Sequence, residues 1–260
     1  MAIRLSGRAD RLSEVRVLQS VKGRRERRQF AFEGATLLAE ALASGFPIQE
    51  IYATQTAYEA TPAIRELEPG GTPVFIVEEE GIARISDLKT PSGIIAVAPV
   101  RLEEIREIFG RGTPILVLAD VNDPANAGTL LRSADAFGCP GVVFGSLGVD
   151  PYHPKVIRGS MGAVFRLALA VAEPPAVVQA AAAAGARLLG LAASGACLAE
   201  EQWERPAALI VGHERRGLGR WASLCEKYLA IPMAGKMESL SAAVAGSIAL
   251  YEASRAHKNS

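Results

Sequence analysis

The chain is poor in the residues that usually announce a chemistry. Three cysteines in 260 residues, Cys139, Cys197 and Cys225, stand far apart with no CxxC pair, which argues against a disulfide framework or a thiolate zinc site and leaves free thiols as the reading. Only three histidines are present, and His213 among them has no acid or cysteine at nucleophile spacing. Aromatics are 6% of residues. No apolar run reaches the ~18 residues of a membrane span, and the Met-Ala-Ile-Arg-Leu start has no apolar signal core, so a cytoplasmic protein without membrane or metal is expected. No Walker lysine pattern and no GxGxxG occurs, so neither a P-loop nor a Rossmann dinucleotide site is supported.

Charge of one sign is also missing in the sum, with 28 Lys and Arg against 28 Asp and Glu, but not in the distribution. Residues 1–30 carry nine basic and three acidic side chains. Most charge runs are solvated helix faces. The run KGRRERR, residues 22–28, is dense enough in arginine to read instead as a phosphate-binding patch, with Arg24, Arg25 and Arg28 as its candidate RNA contacts.

What is abundant is apolar: 49% of the chain is hydrophobic, enough for a sizeable core. Up to about residue 100 the pattern suggests a small α/β unit, with helices over 9–20, 30–42 and 57–67 and strands over 48–54, 73–77 and 93–97. Residues 101–113, ending Gly-Arg-Gly, suit a linker. From Ile115 onward, short apolar runs at 115–119, 141–144, 165–171, 187–191, 208–211 and 228–231 alternate with helical patterns. That rhythm predicts a parallel sheet covered on both faces, with any ligand held in loops at the carboxyl ends of its strands.

Those loops carry the informative residues. After the first run comes NDPANAGTLLRSADAFG, in which Asn126 reads as an N-cap and Gly138 as the terminator of a helix that buries Leu130, Ala134 and Phe137 and turns Arg132 outward. Taken alone, Asn126 is as well explained by capping and Arg132 by solvent exposure. After the fifth run comes VGHERRGL, with Gly212 at the strand end and Glu214 two residues on. The last run leads through IPMAGKMESL, a loop of small residues that leaves main-chain groups uncovered, into a helix capped by Ser239 or Ser241 with Leu240, Val244, Ile248 and Tyr251 on one face, read as core. Between the second and third runs, KVIRGSMG, residues 155–162, reads as a basic segment able to close over a polyanion.

Together NDPANAGTLLRSADAFG, VGHERRGL and IPMAGKMESLSAAVA resemble the three ordered motifs of the SpoU (TrmH-type) RNA ribose 2'-O-methyltransferases of the SPOUT class. RRERRQFAFEGATLLAEAL with KTPSGIIAVA is similar to the substrate-binding domain of the rRNA-modifying branch. The resemblance covers nearly the whole chain. It implies a homodimeric enzyme with an RNA-binding domain over 1–100, the linker 101–113, and a methyltransferase domain over 114–260 with a deep trefoil knot, a feature no periodicity would reveal. It further implies S-adenosyl-L-methionine as cofactor and transfer of its methyl group to a ribose 2'-hydroxyl in RNA, with large-subunit rRNA the favoured substrate. The alternatives are a tRNA ribose methyltransferase and a catalytically inactive RNA-binding or ribosome-assembly protein.

Carried over position by position, Gly212, Ile231 and Leu240, with Met233 and Leu191 beside them, match the family's cofactor-binding residues. Asn126, Arg132, Glu214 and Ser239 match its catalytic positions. A guanidinium is not deprotonated in the ordinary pH range, so Arg132 suits bidentate phosphate binding better than proton abstraction, and the base stays unassigned. In one departure, Ser241 stands where the family's third motif has asparagine; in a milder one, His213 replaces a small polar residue.

Overall fold

The computed structural model describes residues 2–6, 9–112, 114–237 and 239–258, with side chains through Arg255. In chain order the first strands and helices are β1 (Ile3–Leu5), α1 (Asp10–Val17), α2 (Val21–Arg27), β2 (Gln29–Glu33), α3 (Ala35–Ala43) and β3 (Glu50–Ala53). Then come α4 (Gln55–Ala60), α5 (Pro62–Leu67), β4 (Val74–Val77), α6 (Glu79–Ile85), β5 (Ile94–Pro99), α7 (Ile105–Gly110), β6 (Ile115–Ala119) and α8 (Pro124–Ala136). The rest are β7 (Gly141–Gly145), α9 (Pro154–Ser160), β8 (Ala168–Ala172), α10 (Pro174–Ala183), β9 (Arg187–Cys197), β10 (Ala207–Gly212), β11 (Lys227–Ala230) and α11 (Ala242–Lys258).

These form two compact units. One runs to Val100 and includes Tyr152–Phe165; the other comprises Arg101–Pro151 and the chain from Arg166 onward.

The first unit is built on a mixed five-stranded sheet in the order β1-β4-β3-β5-β2, with β5 antiparallel to both its neighbours. Residues 30–33 extend as a strand, where a helix over 30–42 was expected. Alternation explains the difference: Phe30 and Phe32 share one sheet face and are fully buried, and Gly34 at φ +110° breaks the chain before α3 begins. The helix expected over 57–67 is divided at Thr61 by Pro62, which opens α5.

On one face of the sheet Leu12, Val15 and Leu18 pack with Ile82, Ile85, Tyr52 and Phe75. The other face takes Tyr152, whose ring stacks on Phe30 with centroids 4.3 Å apart, and Phe165, which meets Phe32 at 5.0 Å and Phe46 at 5.2 Å. Arg158 Nη1 donates to both carboxylate oxygens of Asp87 at 2.8 and 2.7 Å. The basic segment 155–162 therefore contributes to the packing of this unit, and of its two cations Arg158 is paired with Asp87 while Lys155 is exposed.

The second unit is a six-stranded sheet in the order β11-β9-β10-β6-β7-β8, every adjacent pair parallel. The strands read as short continuous apolar runs because both faces are covered. Ile115, Val117, Val143 and Ile210 face α7 and α10 in a cluster closed by Leu218 and Trp221. The stretch read as a linker is packed in its described part, with Ile108 and Phe109 of α7 buried in that cluster. On the other face α11 lies against α8 and β10. A Cβ at Gly246 would stand 2.4 Å from Leu130 Cδ2 and 3.0 Å from Val211 Cγ2, so glycine is what lets these elements approach. At the far end of the sheet the buried Glu201 carboxylate accepts from Arg187 Nη1 at 2.5 Å and Lys227 Nζ at 2.6 Å, tying the entries of β9 and β11 together.

The core of the first unit thus depends on a segment more than fifty residues downstream of its last strand. Tyr152→Ala removes a fully buried ring and is expected to destabilise this unit by about 3–5 kcal/mol, the usual cost of truncating a buried aromatic. Denaturant unfolding of the full chain measures it; a loss under about 1 kcal/mol would mean the segment is not part of the core.

Candidate active site

The carboxyl ends of β9, β10 and β11 open onto a cleft of about 180 Å³. Leu191 comes from the body of β9, Gly212 ends β10, Ile231 and Met233 follow β11, and Leu240 precedes α11; all five expected cofactor positions line this one cleft. Glu214 and Ser239 line it too.

Gly212 is sterically required. A Cβ there would lie 2.4 Å from the Gly217 carbonyl group and 2.6 Å from Leu218 N. The loop folds back at this point because His213 and Gly217 exchange both backbone hydrogen bonds, each 2.9 Å, with Gly217 at φ +58°. His213 Nδ1 accepts from Arg215 N at 3.0 Å. His213 shapes the loop.

Sequence reasoning missed Ala192, Ala193, Ala242 and Ala245, which also line the cleft. The signal was present as a run of small residues following Gly190 and in the first turn of α11, where side chains too short to fill the space leave backbone exposed to a ligand.

Asn126 is not the N-cap. Asp123 holds that place, accepting from Ala125 N at 2.9 Å, and Pro124 supplies the first helical residue of α8. Asn126, one turn in, uses its amide elsewhere: Nδ2 donates to Glu214 Oε1 at 2.9 Å, across 88 residues of sequence. Two expected catalytic residues therefore meet. Arg132 is exposed on α8 and is not among the residues lining the cleft.

Ser241 is the cap of α11, its Oγ accepting from Val244 N at 3.2 Å. Of the face read as core, Val244 and Tyr251 are outward at 46% and 47% exposure, Ile248 is half-buried, and Leu240 precedes the helix at the cleft. The buried stripe is mostly alanine, Ala242, Ala243, Ala249 and Ala253, with Leu250 the one large side chain in it. Bulk alone does not tell the faces of α11 apart: Val244 and Tyr251 lie outside, whereas Leu250 is buried among the alanines.

In the first unit Arg24 does not belong to a phosphate patch. It is 2% exposed, and its Nη1 donates to the carbonyls of Leu18 and Gln19 at 2.9 and 3.0 Å, holding the end of α1. Arg25 is exposed in α2 and Arg28 is exposed at its C-cap in the left-handed region. Among the described residues no three His, Cys, Asp or Glu side chains cluster as metal ligands, and no helix is long and apolar enough to cross a membrane.

Residues 113–251 match the model of the SpoU rRNA methylase family. The chain belongs to that family. Residues 10–96 match the MRM3-like substrate binding domain. Among its relatives, 23S rRNA (guanosine(2553)-2'-O)-methyltransferase RlmP of Bacillus subtilis is 31% identical over 250 residues, covering 95% of this chain and 96% of that one. The 23S rRNA (uridine(2479)-2'-O)-methyltransferase of Streptomyces viridochromogenes is 32% identical over 273 residues, covering 98% and 92%. The crystal structure of an AdoMet-bound rRNA methyltransferase from Sinorhizobium meliloti superposes with a TM-score of 0.87 at 27% identity over 98% of both chains. The SpoU methyltransferase AviRb of Streptomyces viridochromogenes, in complex with AdoMet, gives 0.86 at 28% identity over 96% of this chain and 99% of that one.

For this SpoU chain, Ser241 serves as a helix cap whatever else the family's asparagine does. Ser241→Ala should cost about 1 kcal/mol of stability, whereas Ser241→Asn, an equally good cap, should leave the thermal midpoint unchanged. A midpoint unmoved by alanine would show that the cap contributes nothing.

Proposed function

We propose that this chain is an S-adenosyl-L-methionine-dependent methyltransferase acting on the ribose 2'-hydroxyl of a nucleotide in large-subunit rRNA. The observation that carries the reading is the convergence of Leu191, Gly212, Ile231, Met233 and Leu240 on one cleft that also receives Glu214, held by Asn126. The lining fits the cofactor: it is largely apolar, and main-chain groups at Gly212 and around Ile231, Met233 and Leu240 can read an adenine edge without a charged side chain.

Bound there, the cofactor would supply an electrophilic methyl group on a sulfonium, so the protein's task is to orient one hydroxyl and manage its proton. Glu214, with one carboxylate oxygen taken by the Asn126 amide, is fixed in rotation and keeps its other oxygen for a further donor. Ser239 offers a hydroxyl at the same cleft. Arg132, exposed on α8, suits bidentate capture of an RNA phosphate that registers the target ribose. The base is not assigned to any of the four.

The same proposal includes a homodimer and the knotted topology of the class, acting in the cytoplasm. The outward residues Val244 and Tyr251 of α11 support the dimer, since exposed apolar side chains on one helix are what a second copy would cover. The parallel sheet in which β10 lies between β9 and β6 supports the topology.

The test is methyl transfer from labelled cofactor to 23S rRNA with mapping of 2'-O-methylated riboses. One ribose modified by the wild type and none by Asn126→Ala or Glu214→Gln is the expected outcome; no incorporation into rRNA would reject the reading.

RNA affinity should rest on exposed cations of the first unit. Arg25→Gln with Arg28→Gln is expected to weaken rRNA binding and lower its salt dependence by about two phosphate contacts, leaving cofactor affinity unchanged. An unaltered salt slope would remove both residues from the RNA interface.

A further inference from the structure

Beside the cleft, at the carboxyl ends of β6, β7 and β8, lies a second polar cluster, none of whose members lines the cleft. Its centre is Asp120, the residue that follows β6 and leads into α8. Asp120 adopts φ +54°, a left-handed conformation that non-glycine residues rarely take without support. Four donors hold it: Arg220 Nε at 2.7 Å and Trp221 Nε1 at 2.9 Å on Oδ2, Arg220 Nη2 at 3.1 Å and Leu147 N at 3.3 Å on Oδ1.

Arg220 is itself held. It donates from Nη1 to Glu173 Oε2 and from Nη2 to Ser146 Oγ at 3.0 Å. Room for the carboxylate comes from Gly145, where a Cβ would stand 2.4 Å from Asp120 Oδ1. Burial works to raise the Asp120 pKa, but the hydrogen bonds from Arg220 and Trp221 outweigh it and hold the carboxyl below its usual range. The side chain is thus an anion at neutral pH and the pairing is ionic.

The two sides of this cluster belong to the two loops that meet at the site. Asp120 opens the segment that ends in Asn126. Arg220 and Trp221 lie in the short 3-10 turn Gly219–Leu224, directly after the Gly212–Leu218 loop that carries Glu214. The loops are tied twice, at their tips by Asn126 and Glu214 and at their bases by Asp120 with Arg220 and Trp221.

The geometry points to Arg220 as a positioning residue for the transfer reaction: by clamping Asp120 it fixes the distance between the two loops and so brings Asn126 and Glu214 into register. This rests on the methyltransferase reading for its catalytic consequence but not for its structural one. Misregister of a catalytic pair by even an ångström slows chemistry without necessarily weakening ligand binding.

Arg220→Met keeps an unbranched stem beside Trp221 and removes both of the donors that Arg220 gives Asp120, leaving those from Trp221 Nε1 and Leu147 N in place. Hydrogen exchange on the full chain should show faster exchange in both 120–131 and 212–218, with β6 still protected; unchanged exchange at 120–131 would overturn the clamp. In single-turnover methyl transfer to rRNA, the methionine variant should lose about tenfold or more in rate at saturating RNA and cofactor, while cofactor affinity stays within roughly threefold. Arg220→Lys, which restores one donor, should recover part of that rate. Equal losses in rate and cofactor affinity, or a lysine variant no faster than methionine, would reject the positioning role. Should the wild type transfer no methyl group to rRNA, the functional reading falls, and the exchange experiment still decides the clamp.

Discussion

The constraint from which the site follows is the backbone-to-backbone contact at the end of β10. Gly212 sits so close to the Gly217 carbonyl that no other residue fits, and that contact turns the chain back on itself within five residues. The fold-back exposes Glu214 to the cleft and starts the 3-10 turn whose Trp221 is wholly buried. Parallel sheets place strand exits along one edge, so once β10 is central, with β9 and β6 on either side, the loops after β6, β9 and β10 are neighbours by construction. The site is therefore a consequence of strand order together with one glycine.

The second sheet was legible because its strands are buried on both faces and appear as unbroken apolar runs, and because each run is followed by turn chemistry at a ligand-bearing edge. The first unit was less so. Gln29–Glu33 and α3 merge in FAFEGATLLAEAL, and nothing local separates a two-phenylalanine strand from the helix behind it except the glycine between them. Arg24 shows a different limit. A run of arginines encodes charge, and which member turns inward to bind the carbonyls ending α1 depends on the crossing of α1 and α2, which composition does not record.

Asn126 and α11 carry the same lesson in opposite senses. Asn126 is by residue type a fit N-cap, but Asp123 already caps the helix, and an amide free of capping makes the 2.9 Å bond to Glu214. α11 packs through Ala242, Ala243, Gly246 and Ala249 at close range, with Leu250 buried beside them, and leaves Val244 and Tyr251 outside. A face packed through small residues brings two backbones together. The outward bulk then becomes surface that a further chain would bury, which links the packing of this helix to the proposed dimer.

The allocation of charge follows from the same division of labour. Among the described residues the cleft is lined mostly by Leu, Ile, Met, Ala and Gly, with Glu214 the one carboxylate of that set. A pocket of this kind recognises shape and main-chain hydrogen-bonding edges, and it gains little from net charge. The cations sit elsewhere: in this unit Arg132, Arg215 and Arg216 are exposed, and Arg220 is spent on Asp120 and Glu173. A chain that balances 28 cations against 28 anions can still act on a polyanion, because affinity for phosphate depends on which cations remain unpaired and exposed, and the internal pairs of Arg158, Arg187 and Arg220 remove theirs from that count.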